Sequence, residues 1–215
     1  MSQVALIDYG SGNLRSAEKA LRRAAARLDS APVIVTTHNP EVIRSADAIV
    51  LPGVGAFSAC RAALAACVGV SEAIETAAIS RGAPFLGICV GMQLLAMRGL
   101  EFGETPGLGW IAGDVVRLTP EGRRHKVPHV GWNNLEFTPQ AGGLFAGLPA
   151  GVDMYFTHSF ALTAPDPDGV AAWTDHGGRF VSAVTRGNLA GVQFHPEKSQ
   201  GAGLELLANF LRWRP

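Results

Sequence analysis

The sequence predicts an α/β fold: an open, mostly parallel sheet with helices on both faces and antiparallel extensions, in a single domain spanning residues 1–215. Three observations carry that prediction. In the first half, short apolar runs alternate with longer stretches of helical periodicity, the order that builds a parallel sheet through helical crossovers. From about Gly107 onward the texture changes to short β-branched and aromatic runs broken by Gly, Pro and Asn, which reads as hairpins and antiparallel additions. No charge block, low-complexity run or linker separates the two halves, and 47% hydrophobic residues provide enough apolar surface for one core.

Residues 4–7 form the first buried-strand candidate. Residues 13–28, rich in Ala, Arg and Leu with apolar spacing near 3.6, predict a helix. Residues 32–36 read as a strand and 40–46 as a short helix, with Pro at its first position. A strand over 48–51 ends at Pro52-Gly53, helices follow over 57–66 and 71–80, and a strand over 84–88 leads directly into a helix over 90–97. The segments GDVVRL, NNLEF, DMYFTHSF, VAAWTD and RFVSAVT supply the antiparallel additions, residues 188–194 a last strand, and 203–213 a closing amphipathic helix.

Charge and cysteine content narrow the functional classes. The chain has 18 basic and 18 acidic residues, so no net charge draws it to nucleic acid or an anionic membrane. Three cysteines without a CxxC pair make neither a disulfide framework nor a zinc ribbon. The start, MSQVALIDYG, is too short and too soon polar for a signal peptide or membrane span, so the expected location is the cytoplasm. His125 and His129 have metal-like i, i+4 spacing, but Pro128 argues against a helix there and no acidic cluster accompanies them, so no metal is assigned.

The chemistry begins at Cys89. A strand ending in a nucleophile flanked by Gly87 and Gly91 and followed at once by a helix is a nucleophile elbow, with Cys where Ser is more familiar. A helix N-terminus behind the sulfur favours thiolate and offers N–H donors for an oxyanion. A free cysteine is also commonly a small buried side chain, which is how Cys60 and Cys67 read, lacking any elbow. A second element lies 106 residues downstream, where His195-Pro196-Glu197 follows an apolar strand. Two residues apart at a strand end, His195 and Glu197 project to one face and suit a base and its orienting carboxylate; alone, the pair also fits a solvated strand end. A third element is the loop Pro52-Gly53-Val54-Gly55, which opens at the same carboxyl edge and can expose N–H groups, or serve as a plain strand-to-helix turn.

Together GICVGMQLL, PGVGAF and GVQFHPEKS resemble the class I (triad) glutamine amidotransferases. DYGSGNLRS at 8–16, HVGWN at 129–133, YFTHSF at 155–160 and the lysine after HPE narrow the resemblance to glutaminase subunits of imidazole glycerol phosphate synthases, and it extends from Ile7 to Phe210. The resemblance implies a flavodoxin-like sheet and a Cys89–His195–Glu197 triad that hydrolyses L-glutamine through a glutamyl thioester, without a cofactor. It implies an oxyanion site at Gly53, Val54 and Val90, with the loop reorienting before Val54 donates. Gly55, Gln93 and Ser159 would hold glutamine. Asn13, Trp132, Tyr155 and Lys198 would face a (β/α)8 cyclase subunit in a heterodimer, through whose barrel the ammonia travels. Before the resemblance is counted, Trp132 and Tyr155 also read as packing aromatics.

One position departs from the family pattern: Phe160 stands where tyrosine is usual, which leaves only backbone contacts there. Chemistry also argues for a partner, because ammonia freed into neutral water is protonated and no longer nucleophilic. The alternatives are the glutaminase subunit of another synthase (pyridoxal phosphate, anthranilate or guanylate synthesis), a binding protein that has lost catalysis, and a Cys hydrolase of γ-glutamyl peptides.

Overall fold

The computed structural model describes residues 2–122, 125–163 and 167–215. The first half runs β1 (Gln3–Ile7), α1 (Leu14–Ala25), β2 (Val33–Thr37), α2 (Pro40–Ser45), β3 (Ala48–Gly53), α3 (Phe57–Ala66), α4 (Val70–Glu75), β4 (Phe85–Cys89) and α5 (Val90–Gln93). The second half is mostly strand: β5 (Arg98–Gly99), β6 (Thr105–Pro106), β7 (Asp114–Arg117), β8 (His129–Asn134), β9 (Glu136–Phe137), β10 (Asp153–His158), β11 (Phe160–Leu162), β12 (Val170–Asp175), β13 (Arg179–Arg186) and β14 (Leu189–Val192), before the closing α6 (Gln200–Arg212).

An eight-stranded sheet in the order β2-β1-β3-β4-β14-β13-β12-β9 carries the core. Its first five strands are mutually parallel and its last three antiparallel, so the predicted change of texture is partly a change of strand direction within this sheet and partly the start of separate strand pairs. The central strands AIVLPG and FLGIC are buried at every residue, as strands covered on both faces must be. The chain steps from β1 to β2 in one direction and from β2 to β3 in the other. Right-handed crossovers therefore put α1 and α2 on opposite faces. α1 packs with α6 and α2 with α4, completing the two outer layers. A β8–β10 ribbon and a small sheet β11-β7-β5-β6 lie outside this framework and supply the walls above the carboxyl edge.

Local chemistry explains several boundaries. Asn39 caps α2 by accepting from Glu41 N at 2.9 Å, with Pro40 behind it. α1 buries Ala17, Ala20, Leu21, Ala24 and Ala25, an apolar stripe of four alanines around one large leucine. Two helices near the site differ from expectation. The segment expected to be helical over 90–97 forms only one turn. Its later carbonyls are taken by the loop that follows: Leu108 N bonds Leu94 O, Trp110 N and Ile111 N bond Leu95 O, and Gly109 N bonds Ala96 O. The closing helix begins at Gln200, three residues before the predicted start, directly after a 3-10 turn over Pro196–Lys198. Among the described residues, no single helix is long and apolar enough to cross a membrane.

Candidate active site

Cys89 ends β4 and opens α5 with φ 54° and ψ −112°, a conformation that a side-chain-bearing residue adopts only under constraint. The flanking glycines allow it. A Cβ on Gly91 would sit 1.9 Å from Leu51 O of the neighbouring strand, and one on Gly87 2.5 Å from Gly91 O. Strand and helix pass so closely that neither position admits any side chain, and the sulfur is left at the tip of the turn.

β14 lies beside β4 and brings the chain back to the same edge. His195 and Glu197 do not alternate along a strand as the sequence suggests: β14 ends at Val192, and Glu197 sits in the 3-10 turn. The turn pairs them all the same, with His195 Nδ1 and Glu197 Oε1 2.8 Å apart and both side chains buried. Ser199 locks the turn, its Oγ donating to His195 O at 2.7 Å and accepting from Tyr155 N at 3.0 Å. His195 N in turn donates to Tyr155 O at 2.8 Å, so β10 holds the imidazole's backbone. Burial, the largest influence on the ring, disfavours its cationic form. The Cys89 sulfur and the Glu197 carboxylate overcome that penalty and push its pKa up to about 9. His195 Nε2 itself makes no hydrogen bond of ordinary geometry.

Cys89, Val90, Gln93 and His195 share a cavity of about 270 Å³ with Val54, Gly55, Ser159 and Phe160. Gly53 and Asn13 are outside it. They border a separate space of about 10 Å³, room for one water, lined also by His195 and Glu197. The Val54 carbonyl accepts from Ser11 Oγ at 3.0 Å and Cys60 Sγ at 3.3 Å, and Tyr9 Oη donates to Pro52 O at 2.7 Å, so three side chains pin the loop. Cys60 is buried, as is Tyr9, whose phenol is strongly disfavoured from ionising by burial and by the neighbouring thiols. Trp132, half exposed on β8, meets the Tyr155 ring edge-on at 5.9 Å, and Lys198 Nζ lies 5.6 Å from the centroid of the same Tyr155 ring. Three residues expected at an interface thus form one surface group adjoining the turn that carries His195 and Glu197, while Asn13 is exposed nearby at the start of α1.

Several residues of the site escaped sequence reasoning. Glu101 lines the cavity and accepts from Phe57 N at 2.8 Å, fixing the start of α3. Thr157 and His158 line it from β10. Gln193, buried beside Cys89, was legible only as part of the GVQFHPE string. Phe160, the departure from tyrosine, contributes its carbonyl, which accepts from Gln93 Nε2 at 3.0 Å. Among the described residues, no group of three or more His, Cys, Asp or Glu is placed to hold a metal.

The profile of the family described as glutamine amidotransferase class-I matches residues 5–213. The chain belongs to the class I glutamine amidotransferase family. Among relatives within this family it is 58% identical to the imidazole glycerol phosphate synthase subunit HisH of Caulobacter vibrioides, over the whole of both chains. It is 53% identical to the protein of that name from Rhodospirillum rubrum, over 99% of this chain and all of the other. Solved structures share the fold. A putative GMP synthase subunit from Thermoplasma acidophilum superposes with a TM-score of 0.68 at 23% identity, covering 99% of this chain and 93% of that one. A crystal structure described as a glutamine amidotransferase gives 0.66 at 20% identity over 94% of each.

Proposed function

We propose that this chain acts as one amidotransferase unit over residues 1–215, hydrolysing L-glutamine to glutamate and ammonia. The ammonia passes to a cyclase partner that forms imidazole glycerol phosphate and an aminoimidazole carboxamide ribonucleotide in histidine biosynthesis. The observation that carries the proposal is Cys89 at a strained strand end, sharing one cavity with His195, whose Nδ1 is held by Glu197. His195 takes the thiol proton, and Sγ attacks the side-chain amide carbon of glutamine. N–H groups of Val54 and Val90, in the backbone that includes Gly53, stabilise the oxyanion. The imidazolium then protonates the departing nitrogen and ammonia leaves, giving a thioester at Cys89. Water, deprotonated by His195, attacks that thioester and releases glutamate.

Gly55, Gln93 and Ser159 hold the glutamine. Gln93 Nε2 is already committed to Phe160 O and to Gln193 Oε1, so its Oε1 is the atom left to accept from the substrate's ammonium group. No cofactor enters these steps. Asn13, Trp132, Tyr155 and Lys198 dock a (β/α)8 cyclase in a heterodimer, and the assembly works in the cytoplasm. Similarity over the full length to subunits of one synthase favours this reading over a glutaminase serving pyridoxal phosphate, anthranilate or guanylate synthesis.

The test is Cys89→Ser assembled with the cyclase. Glutamine-dependent product formation should fall at least about a thousandfold, whereas turnover supplied with ammonium salt, which bypasses the thiol, should persist. Glutamine-dependent turnover that survives the substitution would sink the proposal.

A further inference from the structure

Gln193 is fully buried just beyond β14, and the steps above give it no task. A buried side-chain amide has two donors and an oxygen to satisfy. The Phe160 carbonyl decides which way this one points. That oxygen can only accept, and it takes hydrogen bonds from Gln93 Nε2 at 3.0 Å and His158 Nδ1 at 2.9 Å. Gln93 therefore presents its amide nitrogen on this side, and the same nitrogen donates to Gln193 Oε1 at 2.9 Å. With its oxygen occupied, Gln193 has its nitrogen left for Cys89, and Nε2 lies 3.6 Å from Sγ, an N–H···S distance. A fixed carbonyl thus settles the orientation of both amides.

We infer that Gln193 is a further catalytic residue: its Nε2–H holds the Cys89 sulfur in position and stabilises it as the anionic nucleophile. The inference rests on the reading of Cys89 as nucleophile. A hydrogen bond from a neutral donor to an ionised acceptor is about twice as strong as one between neutral groups, and here it is made where water does not compete. The other titratable groups facing the sulfur are His195 and Glu197 from the turn after β14, and Tyr9 from the loop after β1. Across the cavity stand His158 of β10 and Glu101 of the loop after β5. The Gln193 side chain bonds Gln93 and Cys89 rather than any of these five.

The experiment is the pH profile of Cys89 alkylation by iodoacetamide in the full chain, read on the Cys89 peptide by mass spectrometry so that Cys60 and Cys67 do not contribute. Gln193→Met keeps the volume and removes the donor. Its profile should move up by about one pH unit, a tenfold lower rate on the acid side. Gln193→Glu still accepts from Gln93 Nε2 but sets a carboxylate against the sulfur, and should move the profile further in the same direction. An unchanged midpoint in both folded variants overturns the inference. If neither variant folds, the wild type decides: the side-chain ¹⁵N amide resonance of Gln193 should titrate with the same midpoint as the alkylation, and a resonance that stays still overturns it. A Cys89 that resists alkylation at every pH instead overturns the nucleophile reading on which the inference stands.

Discussion

At the scale of single residues, the site is built from atoms that leave no room. Gly91 is the sharpest case, because its missing side chain is what lets α5 start against β3. Gly91→Ala should destabilise the protein by at least about 3 kcal/mol, through overpacking and strain that the strand backbone cannot relieve. Urea denaturation measures it, with Gly201→Ala, in α6 with nothing within 4 Å of its Cβ, as the clash-free comparison expected to be neutral or slightly stabilising. The buried His195–Glu197 pair carries a second residue-scale prediction. The folded pKa of His195, about 9, lies above the ordinary histidine value, so its contribution to stability is fully present below pH 6.5 and is lost as pH rises through 9. Glu197→Gln removes one of the two supports, so the His195 midpoint followed by NMR should fall toward the ordinary value, and the alkaline loss of stability should shrink with it. Cys89 was legible because an elbow is a local pattern of five residues. Gln193 was not, because the sulfur that gives it meaning is 104 positions away.

Whole elements show why some of the pattern misled. The helical periodicity of 90–97 was real, yet the loop over 107–111 offers better donors for the same carbonyls, and tertiary pairing overrides propensity. A helix over 71–80 was expected. The chain is helical there but widens into a π turn over Thr76–Ser80, closed by Arg81 N to Thr76 O at 3.0 Å and tied to the start of β14 by Asn188 Nδ2 on Ala78 O and Ala83 O. The ribbon β8–β10 carries the clearest consequence. Its register sets His129 opposite His158, which no spacing in the sequence reveals. Polarity then runs one way: Asn133 Nδ2 donates to His129 Nε2, His129 Nδ1 to His158 Nε2, and His158 Nδ1 to Phe160 O. Each ring carries one proton, and a second on either would set two N–H groups face to face. Burial, with the neighbouring imidazoles adding to it, pushes His129 down to about 3. Burial also pushes His158 down to about 4, against the opposing bond to Phe160. Both folded values lie below the unfolded one, so the unfolded chain binds the extra protons and stability falls as pH drops below 6.5. Between pH 6.5 and 5 the loss should reach up to about 2 kcal/mol per histidine. Denaturation at several pH values checks this, and His158→Gln, which keeps one donor and one acceptor, should flatten the slope; equal slopes in the two proteins would refute it.

At the scale of the molecule, one ribbon connects an exposed surface to the Cys89 cavity. The alternation of the first half made the parallel sheet legible, and with it the edge where Cys89 emerges, but strand order and the placement of β8 and β10 above that edge come only from long-range pairing. β10 does two things there. Its Tyr155 carbonyl holds the His195 backbone, and its Tyr155 ring packs against Trp132, the large aromatic left 47% exposed on β8. An aromatic of that size, half in water and braced from behind, is the kind of residue that carries an interface, since its ring loses little freedom on docking. Trp132→Ala should therefore weaken cyclase binding by roughly 2 kcal/mol or more, about thirtyfold in Kd, measured by titration calorimetry, with most of the change in the dissociation rate. Because the ring behind it sits on the residue that bonds His195, glutamine turnover at saturating cyclase should fall as well. A variant that binds thirtyfold more weakly yet turns over normally once saturated would show that the ribbon serves only to dock, and binding at full strength would remove Trp132 from the interface.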